Sequence, residues 1–224
     1  MNYSFDFGVI WDNIGVLLAG AWLTLKISLL AIAFGLIIGI IGAAFRTSGN
    51  RILDWIALAY VEVIRNTPYL IQLLFIFFGL PNLGLKLSAE QAAILSLAVN
   101  FGAYSTEIVR AGVQSIAKGQ VEAGLAIGFK KLDVFRYIVL PPALANVYPA
   151  LIGQVILAVL FTSVVSQIAA EDLTFAGDYL NSRTFRSFEI YFTIALIYLG
   201  IVWLIKLMSF FIERQFFEFA KYRR

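Results

Sequence analysis

Cysteine and histidine are both absent from this 224-residue chain, and only 14% of its residues are charged. Without cysteine there is no disulfide and no thiol chemistry. Without either residue, Cys/His zinc sites and histidine acid–base catalysis are excluded as well. The shortage of charge is equally informative. Soluble domains carry about 25% charged and roughly 45–50% apolar residues, whereas 61% of this chain is hydrophobic. Its length would suit one or two soluble domains, but a bundle of membrane helices fits the composition better. The net charge of +3 sits in short basic clusters between apolar runs, as it does in membrane loops. No basic face with interleaved aromatics is offered to nucleic acid. Residues 1–13 hold Asp6 and Asp12 but no Lys or Arg. A signal peptide needs a basic leading region, so the first apolar run is read as a membrane helix.

A transmembrane helix needs about 20 mostly apolar residues. Five segments qualify: within 14–45, where Lys26 is the only charge; 52–80; 87–109; within 138–170, which has no charge; and 190–212. The loops then sort by side. Arg46, Arg51, Arg65, Arg110, Lys118, Lys130, Lys131 and Arg136 fall on one side, joined beyond the fifth span by Lys206, Arg214, Lys221, Arg223 and Arg224. The other side holds Lys86, Arg183 and Arg186 with Glu171, Asp172, Asp178 and Glu189. The basic excess marks the first side as cytoplasmic. The expected protein is therefore an all-α, five-span integral membrane protein, N-terminus outside and C-terminus inside. There is no internal repeat or long linker, so residues 1–224 form one membrane domain.

Within the second span, Asn66-Thr67-Pro68 interrupts an apolar run that, as one helix, would be about 45 Å long against a hydrocarbon core of about 30 Å. Proline removes a donor and disfavours helix before it. A kink is expected there, with Thr67 as a cap and Glu62 paired to Arg65 one turn on. It is either an ordinary proline kink or a broken helix beside a substrate path. Gly35 and Gly39 form a GxxxG packing signal in the first span. In the third span Ser96, Asn100, Tyr104 and Glu107 share a face; in the fourth, Gln154, Ala158, Thr162 and Ser166 recur every fourth residue. Polar groups inside a membrane face a cavity or a partner. Glu107 can either meet an ammonium group or pair with Arg110, three residues on.

Residues 111–137 form a long loop on the basic side. Glu122 to Ile127 can make a short helix with an acid near its start, and Gly128 can end it in the left-handed conformation. Lys130 to Arg136 can make a second short helix. Such a helix–turn–helix is either a knob for a soluble partner or an amphipathic loop resting on anionic lipid through Lys130 and Lys131. Gly124-Leu-Ala-Ile-Gly128-Phe-Lys-Lys is not a phosphate-binding loop: its glycines are one residue too close, and no Ser or Thr follows the lysine.

Glu122-Ala123-Gly124, three residues, Gly128, nine residues, then Ile138-Val139-Leu140-Pro141 resembles the loop motif of ABC importer permeases, E-A-A, three residues, Gly, nine residues, I-x-L-P. Only Gly124 departs from it. Further segments resemble the polar amino acid branch of that family: Arg65-Asn66-Thr67-Pro68, Gly79-Leu80-Pro81, Ala103-Tyr104 with Glu107, Arg110-Ala111-Gly112, Gln114-Ser115-Ile116, Glu171-Asp172-Leu173-Thr174 and Thr184-Phe185. The resemblance implies a type I ABC importer permease in a bacterial inner membrane. It implies a cytoplasmic ATPase dimer, which binds the ATP and Mg, contacted by Glu122, Ala123, Gly124, Gly128 and Lys130. It implies a second permease subunit, identical or homologous, an external substrate-binding protein, and an amino acid passing near Thr67, Asn100, Tyr104, Glu107, Phe161, Thr162 and Ser163. Where the family commonly has Lys-Asp-Thr-Ser, this chain has Leu160-Phe161-Thr162-Ser163. Either the substrate is less charged, or this subunit is the non-binding half of a heterodimer. An ATP-independent channel or secondary transporter is the alternative, and it leaves the loop motif unexplained.

Overall fold

The computed structural model describes residues 4–216; Lys221, Arg223 and Arg224 lie outside the described residues. Every regular element among them is helical. A short α1 (Gly8–Asp12) leads into α2 (Ile14–Thr47), then α3 (Arg51–Arg65) and α4 (Tyr69–Leu74), the last extended by a π segment and a 3-10 turn to Leu83. There follow α5 (Ala89–Gln114), α6 (Lys118–Ala126) and α7 (Lys131–Asp133), which runs through a π segment, Val134–Val139, into α8 (Leu140–Phe161). A 3-10 segment (Thr162–Ile168), α9 (Leu173–Thr184) and α10 (Ser187–Phe216) complete the chain.

α2 and α5 form the spine of the bundle. Leu17, Gly20, Thr24, Ile27, Ala31, Gly35, Gly39 and Gly42 are buried along one stripe of α2, which small residues make narrow enough for close approach. A Cβ on Gly35 would fall 2.9 Å from the Ala98 carbonyl oxygen, and one on Gly39 would fall 2.5 Å from the Ser105 Cβ. The two helices run parallel: Lys26 pairs with Glu90 at 2.7 Å near one end, and Arg46 reaches Glu107 at 3.4 Å near the other. The rise from Lys26 to Arg46 is about 30 Å, the thickness of a hydrocarbon core.

Parallel neighbours need a return leg, and α3 with α4 supplies it. The leg is not gently kinked: its two halves meet at 108° across residues 66–68. Thr67 does not cap the second half, as the sequence suggests it should. Its hydroxyl turns back to donate to the Val63 carbonyl (2.8 Å), and Pro68 opens α4 without a side-chain cap. Glu62 does not pair with Arg65 either. It accepts from the Asn66 amide at 2.9 Å, while Arg65 lies over the Tyr104 ring at 5.3 Å. Gln72 repairs the break. Its Nε2 donates to the carbonyls of Ile64 (2.7 Å) and Thr67 (3.0 Å) and to the Thr67 hydroxyl (2.9 Å). Carbonyls freed from a helix at a break need such partners once water has only partial access to them.

α8 runs antiparallel to α5, with Asn146 donating to Ser115 at 2.9 Å. α10 runs antiparallel to α8: Tyr148 donates to the Ser209 carbonyl at one end (3.1 Å), and Thr162 meets Tyr198 at 3.5 Å towards the other. With the bent leg counted as one span, five segments are long and apolar enough to cross a membrane. Phe75, Trp203 and Phe211 are among the large apolar side chains left on the outside of the bundle, where lipid rather than water is the natural neighbour.

Candidate functional site

The loop between α5 and α8 is a compact knob. α6 starts at Lys118, four residues before Glu122, so Glu122 sits in mid-helix and not in the first turn. Ala117 offers no side chain to cap the helix, which hides its start from a sequence reading. Its end is legible. Gly128 has φ +93°, its N–H donates to the Leu125 carbonyl (3.0 Å), and the Phe129 N–H donates to the Gly124 carbonyl (3.1 Å). This pair of bonds closes the helix as a Schellman motif. The expected second short helix is instead the leading end of the fourth span, continuous from Lys131. Its π turns precede Pro141 and Pro142, whose rings crowd carbonyls a turn back and whose missing donors loosen the ladder.

Glu122, Ala123, Gly128 and Lys130 all face outwards, beside Ile127 and Leu132, which are 73% and 75% exposed. Gly124 faces the other way. It is buried, and a Cβ there would run into Ile138 and press on Val134. The one departure from the motif thus lets α6 pack tightly on the base of the fourth span.

The polar face of α5 divides in two. Ser96 meets the Tyr69 hydroxyl at 3.3 Å, and Asn100 Nδ2 donates to Gln72 at 3.0 Å, while Asn100 Oδ1 is buried without a protein partner. Asn100 therefore braces the broken leg. Glu107, further in, is not open to an ammonium group. Arg110 donates to both of its oxygens, to Oε1 at 3.1 Å and to Oε2 at 2.6 Å, and Arg46, which also holds Asp54, donates to Oε1 at 3.4 Å. Arg110 is legible from its spacing; Arg46, 61 residues away, is not.

On α8, Phe161 stacks on Tyr69 with ring centroids 5.2 Å apart. Thr162 is fully buried and donates to the Val159 carbonyl at 2.7 Å. Ser163, half-buried, donates to the Leu160 carbonyl at 2.7 Å. Thr67 and Phe161 flank Tyr69 and Gln72 through these contacts, and Tyr104 carries Arg65 on its ring.

Sequence reasoning missed a buried polar knot near the start of α9. Asp172, fully buried, accepts from the Phe175 N–H (3.0 Å) and the Tyr198 hydroxyl (3.2 Å), while Thr24 accepts from the Leu173 N–H (3.2 Å). Burial pushes the Asp172 carboxyl above the ordinary carboxylate range, only partly offset by these donors. A raised carboxyl in the folded state means stability falls as pH climbs from the ordinary value of about 3.9 through the raised one, and stays reduced above it. Asp172→Asn keeps an acceptor and loses the charge. It is expected to match or exceed wild type in thermal stability near about pH 8, with the advantage shrinking towards about pH 4. Thermal unfolding in detergent across that range measures it, and an advantage that grows on acidification would contradict the assignment.

The comparisons with known proteins agree with this geometry. Residues 14–218 match the family described as binding-protein-dependent transport system inner membrane component. The glutamine transport system permease protein GlnP of Escherichia coli K12 is 40% identical over 198 residues, 88% of this chain and 90% of that protein. The probable glutamine ABC transporter permease protein GlnM of Bacillus subtilis is 36% identical over 199 residues, 89% of this chain and 90% of that one. A crystal structure of an amino acid ABC transporter with histidines superposes with a TM-score of 0.88 at 35% identity, covering 95% of this chain and all of its counterpart. An inward-facing MetNI methionine ABC transporter shares the fold, with a TM-score of 0.75 at 24% identity. With the loop motif, the five spans and a family match over nearly its whole length, the chain belongs to the binding-protein-dependent transport system inner membrane components.

Proposed function

We propose that this chain is half of the translocation path of an ATP-driven amino acid importer in a bacterial inner membrane. The observation that carries the reading is the knob: α6, closed at Gly128, presents Glu122, Ala123 and bare apolar side chains while its Gly124 packs on Val134 and Ile138 at the base of the fourth span. An apolar tip that none of the described residues covers suits the groove of a separate ATPase subunit. The Lys and Arg bias puts that knob on the cytoplasmic side. A second permease subunit completes the path, and an external binding protein loads it from the α9 side.

The substrate is proposed to be an uncharged polar amino acid such as glutamine, following the relatives. On this half of the path the place of the family's charged pair is taken by Leu160 and by Phe161, stacked on Tyr69. Beside that stack, this half offers the amides of Gln72 and Asn100 and the hydroxyl of Thr67.

Reconstitution tests the reading. Permease, its co-purified ATPase and the binding protein in liposomes are expected to take up labelled glutamine only with ATP inside and binding protein outside. Uptake that persists without the ATPase would favour a channel or secondary transporter.

A further inference from the structure

The contacts around Arg46 give the knob a mechanical connection to the broken leg. Arg46 closes α2, and its guanidinium touches two other helices at once: Asp54 in the first turn of α3 and Glu107 near the inner end of α5 (3.4 Å). Glu107 is gripped in turn by Arg110, which also donates to Gln114 (2.6 Å), the last residue of α5 before the knob. At the far end of α3, Gln72 and Asn100 hold the break rigid and set Tyr69 against Phe161. α3 spans 15 residues, about 22 Å of helix.

We propose that Arg46 is a positioning residue for coupling. It pins the inner end of α3 to α5, so that α3 turns as a lever when α5 is moved by the knob, and the Tyr69–Phe161 contact opens or closes at its other end. Charge-assisted contacts suit this role because they are directional and, being partly shielded from water, stiff. A mere surface pair would do neither. The inference rests on the importer reading and adds the transmission path to it.

The test uses the assembled complex in liposomes, measuring ATP hydrolysed per glutamine delivered. Asp54→Asn and Arg46→Gln are each expected to raise that ratio at least about fivefold, with the ATPase still co-purifying and its hydrolysis rate within about twofold of wild type; the shift reflects lost transmission and not lost docking. Asp54→Glu should restore the wild-type ratio. The double variant should be no worse than Arg46→Gln alone, since that substitution already removes the contact that Asp54→Asn breaks. A wild-type ratio in Asp54→Asn, or additive defects in the double variant, overturns the proposal. Asp54 is close to half exposed, so its variant reports even if Arg46→Gln fails to assemble. Gly128→Asp run alongside separates the two readings: if it too is harmless, the importer assignment has failed, whereas harm from it alone removes only the lever.

Discussion

Gly128→Asp is expected to abolish coupled uptake, by about tenfold or more, while the permease still reaches the membrane at a normal level. Gly128 sits at φ +93° with nothing within 4 Å of where a Cβ would be. Within the subunit the cost is therefore only the left-handed conformation, about 1 kcal/mol and smaller for Asp than for most residues. The fold survives that. What changes is the outer contour of the knob, which gains a charge among Ile127, Phe129 and Leu132. An interface whose apolar contact loses about 1.4 kcal/mol weakens tenfold, and a desolvated carboxylate costs more than that. ATP hydrolysis should continue without transport, or the ATPase should no longer co-purify. Coupled uptake at the wild-type rate would remove the knob from the mechanism.

Gly39→Val is expected to prevent stable assembly of the bundle, a loss of about 3 kcal/mol or more. Here the obstacle lies inside the subunit. The first added carbon would fall 2.5 Å from the Ser105 Cβ, 3.2 Å from the Ser105 carbonyl carbon and 3.3 Å from the Thr106 nitrogen. Backbone cannot step aside, so α2 and α5 must separate, and the contacts along their shared length weaken together. Gly200→Val is the control, since nothing lies within 4 Å of a Cβ on Gly200; it should behave as wild type. The fraction of monodisperse protein after detergent extraction distinguishes the two, and equal yields would show that this packing does not govern stability.

These two glycines also show how much was legible beforehand. Gly128 could be read as a helix stop because a left-handed terminus leaves a local mark. Gly39 could be read as a packing residue because its GxxxG spacing is local as well. The spans and their order followed from runs of apolar residues and the sides of the basic loops. What stayed hidden depends on partners distant in sequence. Nothing around Thr67 announces that Gln72 will occupy its hydroxyl and two nearby carbonyls. Glu107 could be an open site or half of an ion pair until Arg46 was brought against it. Gly124 looked like a blemish in a motif, and its meaning came only with Ile138 and Val134 beside it.

The Gln72 amide has a consequence for how the subunit can change shape. Straightening the leg would strip that buried side chain of three acceptors at once, between Tyr69 and Leu73 in the chain, both of which lie in the apolar core. A half-straightened leg would leave the group stranded in an apolar surround, where each unmet bond costs about 1–3 kcal/mol. Intermediate angles are therefore the worst ones, and a transporter built on this leg should snap between distinct postures, with few molecules caught between them.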